Sequence, residues 1–119
     1  MSRELRESDW KILRELHPIA LERFCRRALD EIERAASDTD KSCHERYLDV
    51  LRLVDQRRRE MADTFNDMRR SRALQRLTCI QYHELLTEEE LGRFSPEMRE
   101  ALRFMLDLNG TGSTDRPAG

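Results

Sequence analysis

Apolar side chains return every three or four positions through most of this chain, the rhythm of amphipathic helices. Leu21, Phe24, Cys25, Ala28, Leu29 and Ile32 fall at spacings of three, one, three, one and three, which lays a continuous stripe along one helical face. Upstream, Trp10, Ile12, Leu13 and Leu16 keep the same rhythm. There His17 and Pro18 predict an interruption, because a residue before proline is pushed out of the helical region; Pro18 either kinks one helix or opens a second. Ser8 is the expected cap of the first segment, and residues 1–7 read as frayed or as a loose first turn.

A polar connector with Asp38, Thr39 and Asp40 separates these positions from the next helix, whose start is marked by Ser42 and, three residues later, Glu45. In such a capping box hydroxyl and carboxylate each satisfy a backbone N–H that the first turn leaves unpaired, worth about 1 kcal/mol. Beyond it Tyr47, Leu51, Val54, Arg58, Met61, Phe65 and Met68 alternate spacings of four and three, a heptad seam broken only by Arg58. This seam is the predicted interaction face, either the monomer's own core or a surface for a second helix; Leu51 and Phe65 would be buried within the chain in the first case. Residues 55–60 are polar without Gly or Pro, so the helix should persist there while crossing water. Unbroken to Arg70 it would reach roughly 40 Å at about 1.5 Å per residue. A break is predicted at residues 69–72, before a second stripe of Ala73, Leu74, Leu77 and Ile80.

Thr87 with Glu90 forms another capping box, and Ser95 followed by Pro96 opens the last helix as a cap with proline in the first helical position. Met98, Leu102, Met105 and Leu106, widened by Phe104 and Leu108, make its apolar face, and Asn109 with Gly110 is the expected stop. The fold class is therefore all-α, a bundle of four to six helices around one long central helix. It forms one domain over residues 1–109 with a disordered tail over 110–119.

Composition agrees. Of 119 residues, 38% are hydrophobic and 39% charged, with only 4 Gly and 3 Pro, which favours helices and excludes a disordered chain. The net charge of −2 implies no general polyanion partner. Its distribution is uneven, because residues 52–76 hold eight arginines against four acids while residues 84–107 hold seven acids against three arginines. Cys25, Cys43 and Cys79 are an odd, widely spaced set, and no apolar leader follows Met1, so a reducing cytoplasmic compartment is expected. No stretch approaches the roughly 18 to 20 apolar residues of a membrane span.

Several short runs bear on kinship: Asp9, Trp10 and Lys11, then residues 21–25, 44–47, 86–91 and 93–97. Together they resemble a group of short, uncharacterised proteobacterial proteins across most of residues 9–106. The resemblance implies an all-helical fold and brings no activity, cofactor or catalytic residue with it.

Cys43 and His44 are adjacent, so on a helix they point about 100° apart and form no local nucleophile–base pair. Cys79 and His83 lie four apart on one face, but they supply two ligands where structural zinc wants four. His17, His44 and His83 would have to converge in space to make a site. There is no Glu-x-x-His repeat for a di-metal bundle and no glycine-rich phosphate loop. No catalytic, metal or cofactor-binding residues are assigned. Two function classes remain. The first is a non-enzymatic helical interaction or scaffolding module, working on its seam as a homodimer or with another helical protein. The alternative is a small nucleic-acid-associated regulator using Arg57, Arg59, Arg69, Arg70, Arg72 and Arg76, a face interrupted by Asp55, Glu60, Asp63 and Asp67 and short of aromatic residues for base stacking.

Overall fold

Pro18 does not divide the first helix. In a computed structural model, which describes residues 5–114, α1 runs unbroken as Glu7–Ala36 with Pro18 inside it. Proline in a helix interior costs about 3 kcal/mol through the lost N–H and the crowded carbonyl four residues back. Against this, Leu13, Leu16, Ala20 and Phe24 are buried on both sides of the proline, and each large side chain removed from water contributes about 1.5–3 kcal/mol. Pro18 itself lies on the exposed face. The burial wins, and α1 becomes the longest helix of the fold.

Its start also differs from expectation. Arg6 occupies the cap position without a side-chain cap, and Ser8 falls inside the first turn. The residue that matters there is Asp9, only 2% exposed. Its carboxylate accepts from the Ser95 backbone N–H at 2.8 Å and from the Ser95 hydroxyl at 2.6 Å.

Ser42 caps α2 (Cys43–Phe65) as predicted: its hydroxyl accepts from Glu45 N at 3.1 Å, and the Glu45 carboxylate accepts from Ser42 N at 2.9 Å. The helix stops sooner than the expected break at 69–72. Asn66 ends it, and Asp67 follows in the left-handed region at φ 62°, a conformation that short polar side chains tolerate. Arg69 and Arg72 both donate to the Asp67 carboxylate, which fixes this turn. A single 3-10 turn, Arg70–Arg72, then leads into α3 (Ala73–Tyr82).

The Thr87–Glu90 capping box opens the one-turn α4 (Glu88–Leu91). The last helix, α5, is Pro96–Thr114, and the Ser95 hydroxyl accepts from Met98 N at its start. It runs past Asn109 and Gly110, because glycine permits a left-handed stop without imposing one. The remaining tail residues, 115–119, lie outside the described residues.

Among the described residues there are five α-helices and no strand, so the chain is an all-α bundle. Leu13, Leu16, Ala20 and Phe24 of α1 meet Phe65, then Ala73, Leu77 and Ile80 of α3, Leu85, Leu86 and Phe94 of the connecting segments, and Met98 and Leu102 of α5. This core engages α1 only as far as Phe24 and α2 only at its end. The C-terminal part of α1 and the N-terminal part of α2 therefore leave the body as an antiparallel helical arm, and the molecule measures 56 × 31 × 24 Å.

Candidate interaction surface

The arm separates two stripes on α2 that have the same spacing. One consists of Arg46, Val50, Leu53, Arg57, Glu60 and Thr64, all buried or half-buried, at spacings of four, three, four, three and four. It faces α1, whose half-buried positions along the arm are Ala28, Glu31, Ile32 and Ala35. The second stripe is the predicted seam, one residue on and so rotated from the first by about 100°.

Along the arm the seam is uncovered. Tyr47 is 64% exposed, Leu51 47% and Val54 44%, with Leu48 beside them at 38%. Arg58, also exposed, is held by Asp55 of its own helix at 2.7 Å. Where α2 enters the body the same seam is taken in: Met61 and Met68 are half-buried against the core and Phe65 is buried. Of the two readings of the seam, the one that makes it core therefore holds at Phe65 and not at Leu51. The physical reason is register. Val50 and Leu53 carry the helix–helix contact one residue out of step with the seam, and nothing local distinguishes two stripes of equal period. Sequence reasoning missed Val50, Leu53 and Leu48 for that reason, and on α1 it missed that Leu29 stays 64% exposed.

The polar stretch 55–60 does not cross water unaccompanied. Arg57 reaches α1 with a forked contact to the Glu31 carboxylate at 2.7 and 3.2 Å, and it also donates to Glu60 at 2.8 Å. This partner holds the Glu31 carboxyl below its ordinary range. Beside it lies a cleft of about 240 Å3 lined by Phe24, Arg27, Ala28, Glu31, Arg57, Glu60 and His83. Arg27 closes one wall by donating to the His83 and Glu84 carbonyls. Its charged groups are largely satisfied by one another, which makes it a fastening between α1, α2 and the end of α3.

The histidines do not converge. His17 packs edge-on to Phe65 at 5.3 Å and lies 3.2 Å from the Phe65 carbonyl; His83 packs on Phe24 at 5.7 Å; His44 is exposed in the first turn of α2. Cys79 is half-buried on α3, and among the described residues no group of three or more His, Cys, Asp or Glu is placed to hold a metal ion.

The arginines of the alternative nucleic-acid face are similarly committed. Arg59 pairs with Asp55, Arg69 and Arg72 with Asp67, and Arg70 with Glu7 at 2.6 Å. Arg76 donates to the Asp63 and Asn66 carbonyls, closing the end of α2, and Arg57 is tied to α1 as described. These contacts spread the guanidiniums among turn, helix end and arm. No described helix is long and apolar enough to cross a membrane. Comparison with protein-family models, curated proteins and solved structures found no match, so the surface is read from its own geometry.

Proposed function

We propose that the chain is a non-enzymatic helical interaction module of the bacterial cytoplasm that self-associates through the outer stripe of α2. The observation that supports this reading is the row Tyr47, Leu48, Leu51 and Val54, exposed on an arm that projects from the body and playing no part in the core. Aromatic and aliphatic side chains at helical spacing are the anchors by which one helix buries itself against another. Free energy from covering such side chains, at about 25 cal/mol per Å2, is available only to a second molecule, because α1 already occupies the other face of α2. The stripe spans about three turns, which suits a dimer of micromolar strength.

Light scattering across a concentration series tests the reading. The parent chain should reach the mass of two copies by about 100 μM, where a micromolar contact is nearly saturated. Leu51→Asp should remain at the mass of one, with its helical circular dichroism intact. A parent chain that stays monomeric at that concentration overturns the proposal. Salt-sensitive binding to generic DNA or RNA by that monomer would favour the nucleic-acid reading instead.

A further inference from the structure

We infer that the second copy lies antiparallel, with Tyr47 of one arm against Arg58 of the other and Leu51 against Val54 at the centre. The inference rests on the self-association proposed above and adds its geometry.

The first argument is charge. Arg58 occupies a seam position and is exposed, with its partner Asp55 half-buried beside it. In a parallel pair each seam residue faces its own copy, so two guanidiniums would meet at the body end of the apolar contact, where like charges directly opposed are destabilising. Reversing one helix exchanges that pairing. Residues whose numbers add to 105 then oppose each other, which sets Leu51 on Val54 and Tyr47 on Arg58. The guanidinium meets an aromatic face, a favourable cation–π arrangement, while Asp55 stays at the rim to hold it.

The second argument is the body. The seam continues into Met61, half-buried, and Phe65, 6% exposed, so towards its C-terminal end it is already covered. A parallel partner would bring its own body to that same end. The antiparallel register uses only residues 47–58, the uncovered length, and leaves the two bodies at opposite ends. The stripe is self-complementary in that direction: a two-fold axis between residues 52 and 53 maps every seam residue of the arm onto another seam residue. Opposed helix dipoles favour the same arrangement.

Label distances test this. Tyr47 and Arg58 are kept, and the full chain carrying Cys25→Ser and Cys79→Ser is spin-labelled at Cys43, exposed in the first turn of α2. In the antiparallel register position 43 of one copy lies opposite position 62 of the other, so the two labels stand about 28 Å apart along the helices at about 1.5 Å per residue. In a parallel pair they stand side by side, with helix axes about 8–10 Å apart. The expected result is a separation of about 30 Å in a species with the mass of two copies. Any clearly shorter or longer separation in such a species overturns the antiparallel register while leaving self-association standing. A monomeric mass for the parent chain overturns both.

Discussion

Phe24 and Phe65 meet edge to face, their ring centroids 5.8 Å apart and their planes at 71°. This contact joins α1 to the end of α2 at the place where the arm becomes the body. It also extends in both directions, because His17 stands edge-on to Phe65 and His83 edge-on to Phe24. Four rings from α1, α2 and the end of α3 thus form one file with alternating orientation, each contact of the kind worth about 0.5–1.5 kcal/mol beyond burial alone.

Phe65→Ala and Leu51→Ala should therefore behave differently although both sit on one seam. Phe65 is buried, so its truncation should cost about 3–5 kcal/mol. Leu51 is half exposed, and its loss from the monomer should cost less than about 0.5 kcal/mol. Urea melts at low protein concentration, where association does not contribute, make the comparison. Equal losses would place Leu51 in a core that the structure does not give it.

What was readable from the chain follows from the range of each interaction. Both capping boxes, Ser42 with Glu45 and Thr87 with Glu90, are closed within three residues, so local chemistry suffices to find them. The Asp9–Ser95 contact joins residues 86 apart, and no spacing rule reaches that far. At Pro18 the chain leaves two readings open, a kinked helix or a second one, and only the tertiary burial of Leu13, Leu16 and Ala20 decides for one helix. The outer stripe of α2 is half legible: its spacing stands in the chain, but whether it faces inward or outward depends on which of two stripes α1 selects.

Pro18→Ala should stabilise the chain by about 1–3 kcal/mol. Alanine restores the N–H that the carbonyl of Arg14 lacks and removes the ring that crowds it, and Pro18 is exposed, so little packing is lost. Chemical denaturation of parent and variant side by side measures the gain. An unchanged or lower midpoint would mean that the proline costs α1 nothing in this position.

Glu90 holds two roles that one substitution separates. Its carboxylate accepts from the Thr87 backbone in the capping box and makes a forked ion pair with Arg23 at 2.8 and 2.9 Å; Arg23 also donates to the Leu85 carbonyl. The hydrogen bonds from Arg23 are the main reason its carboxyl is lowered from 4.5 to about 2. With the folded value depressed, the stabilisation is present above the unfolded value near 4.5 and is lost as pH falls towards about 2. Glu90→Gln keeps a side chain that completes a capping box but removes the charge. It should cost about 1 kcal/mol at neutral pH, a low figure because the Arg23 side chain remains 38% exposed. Below pH 4.5 the difference between the two proteins should shrink; a gap that stays constant down to about pH 2 would show that the ion pair does not carry it.

His83 gives the last test, because three elements of the fold surround it. It ends α3 through its backbone N–H, and its half-buried ring packs on Phe24 and Tyr82 and shares a cleft with Arg27, Arg57, Glu31 and Glu60. Burial is the largest cause that pushes its pKa below the usual 6.5; Arg27 and Arg57 act in the same sense, and Glu60 opposes them. The unfolded chain therefore binds a proton more readily at this residue than the folded chain does. Stability should be fully present above pH 6.5 and should fall as pH drops below it, since protonation places a cation between two guanidiniums in a desolvated cleft. His83→Gln removes the titration, so between about pH 7 and about pH 5 its melting temperature should change less than that of the parent. If both proteins lose the same number of degrees over that interval, the acid sensitivity belongs to another group and His83 is not held neutral by the joint between arm and body.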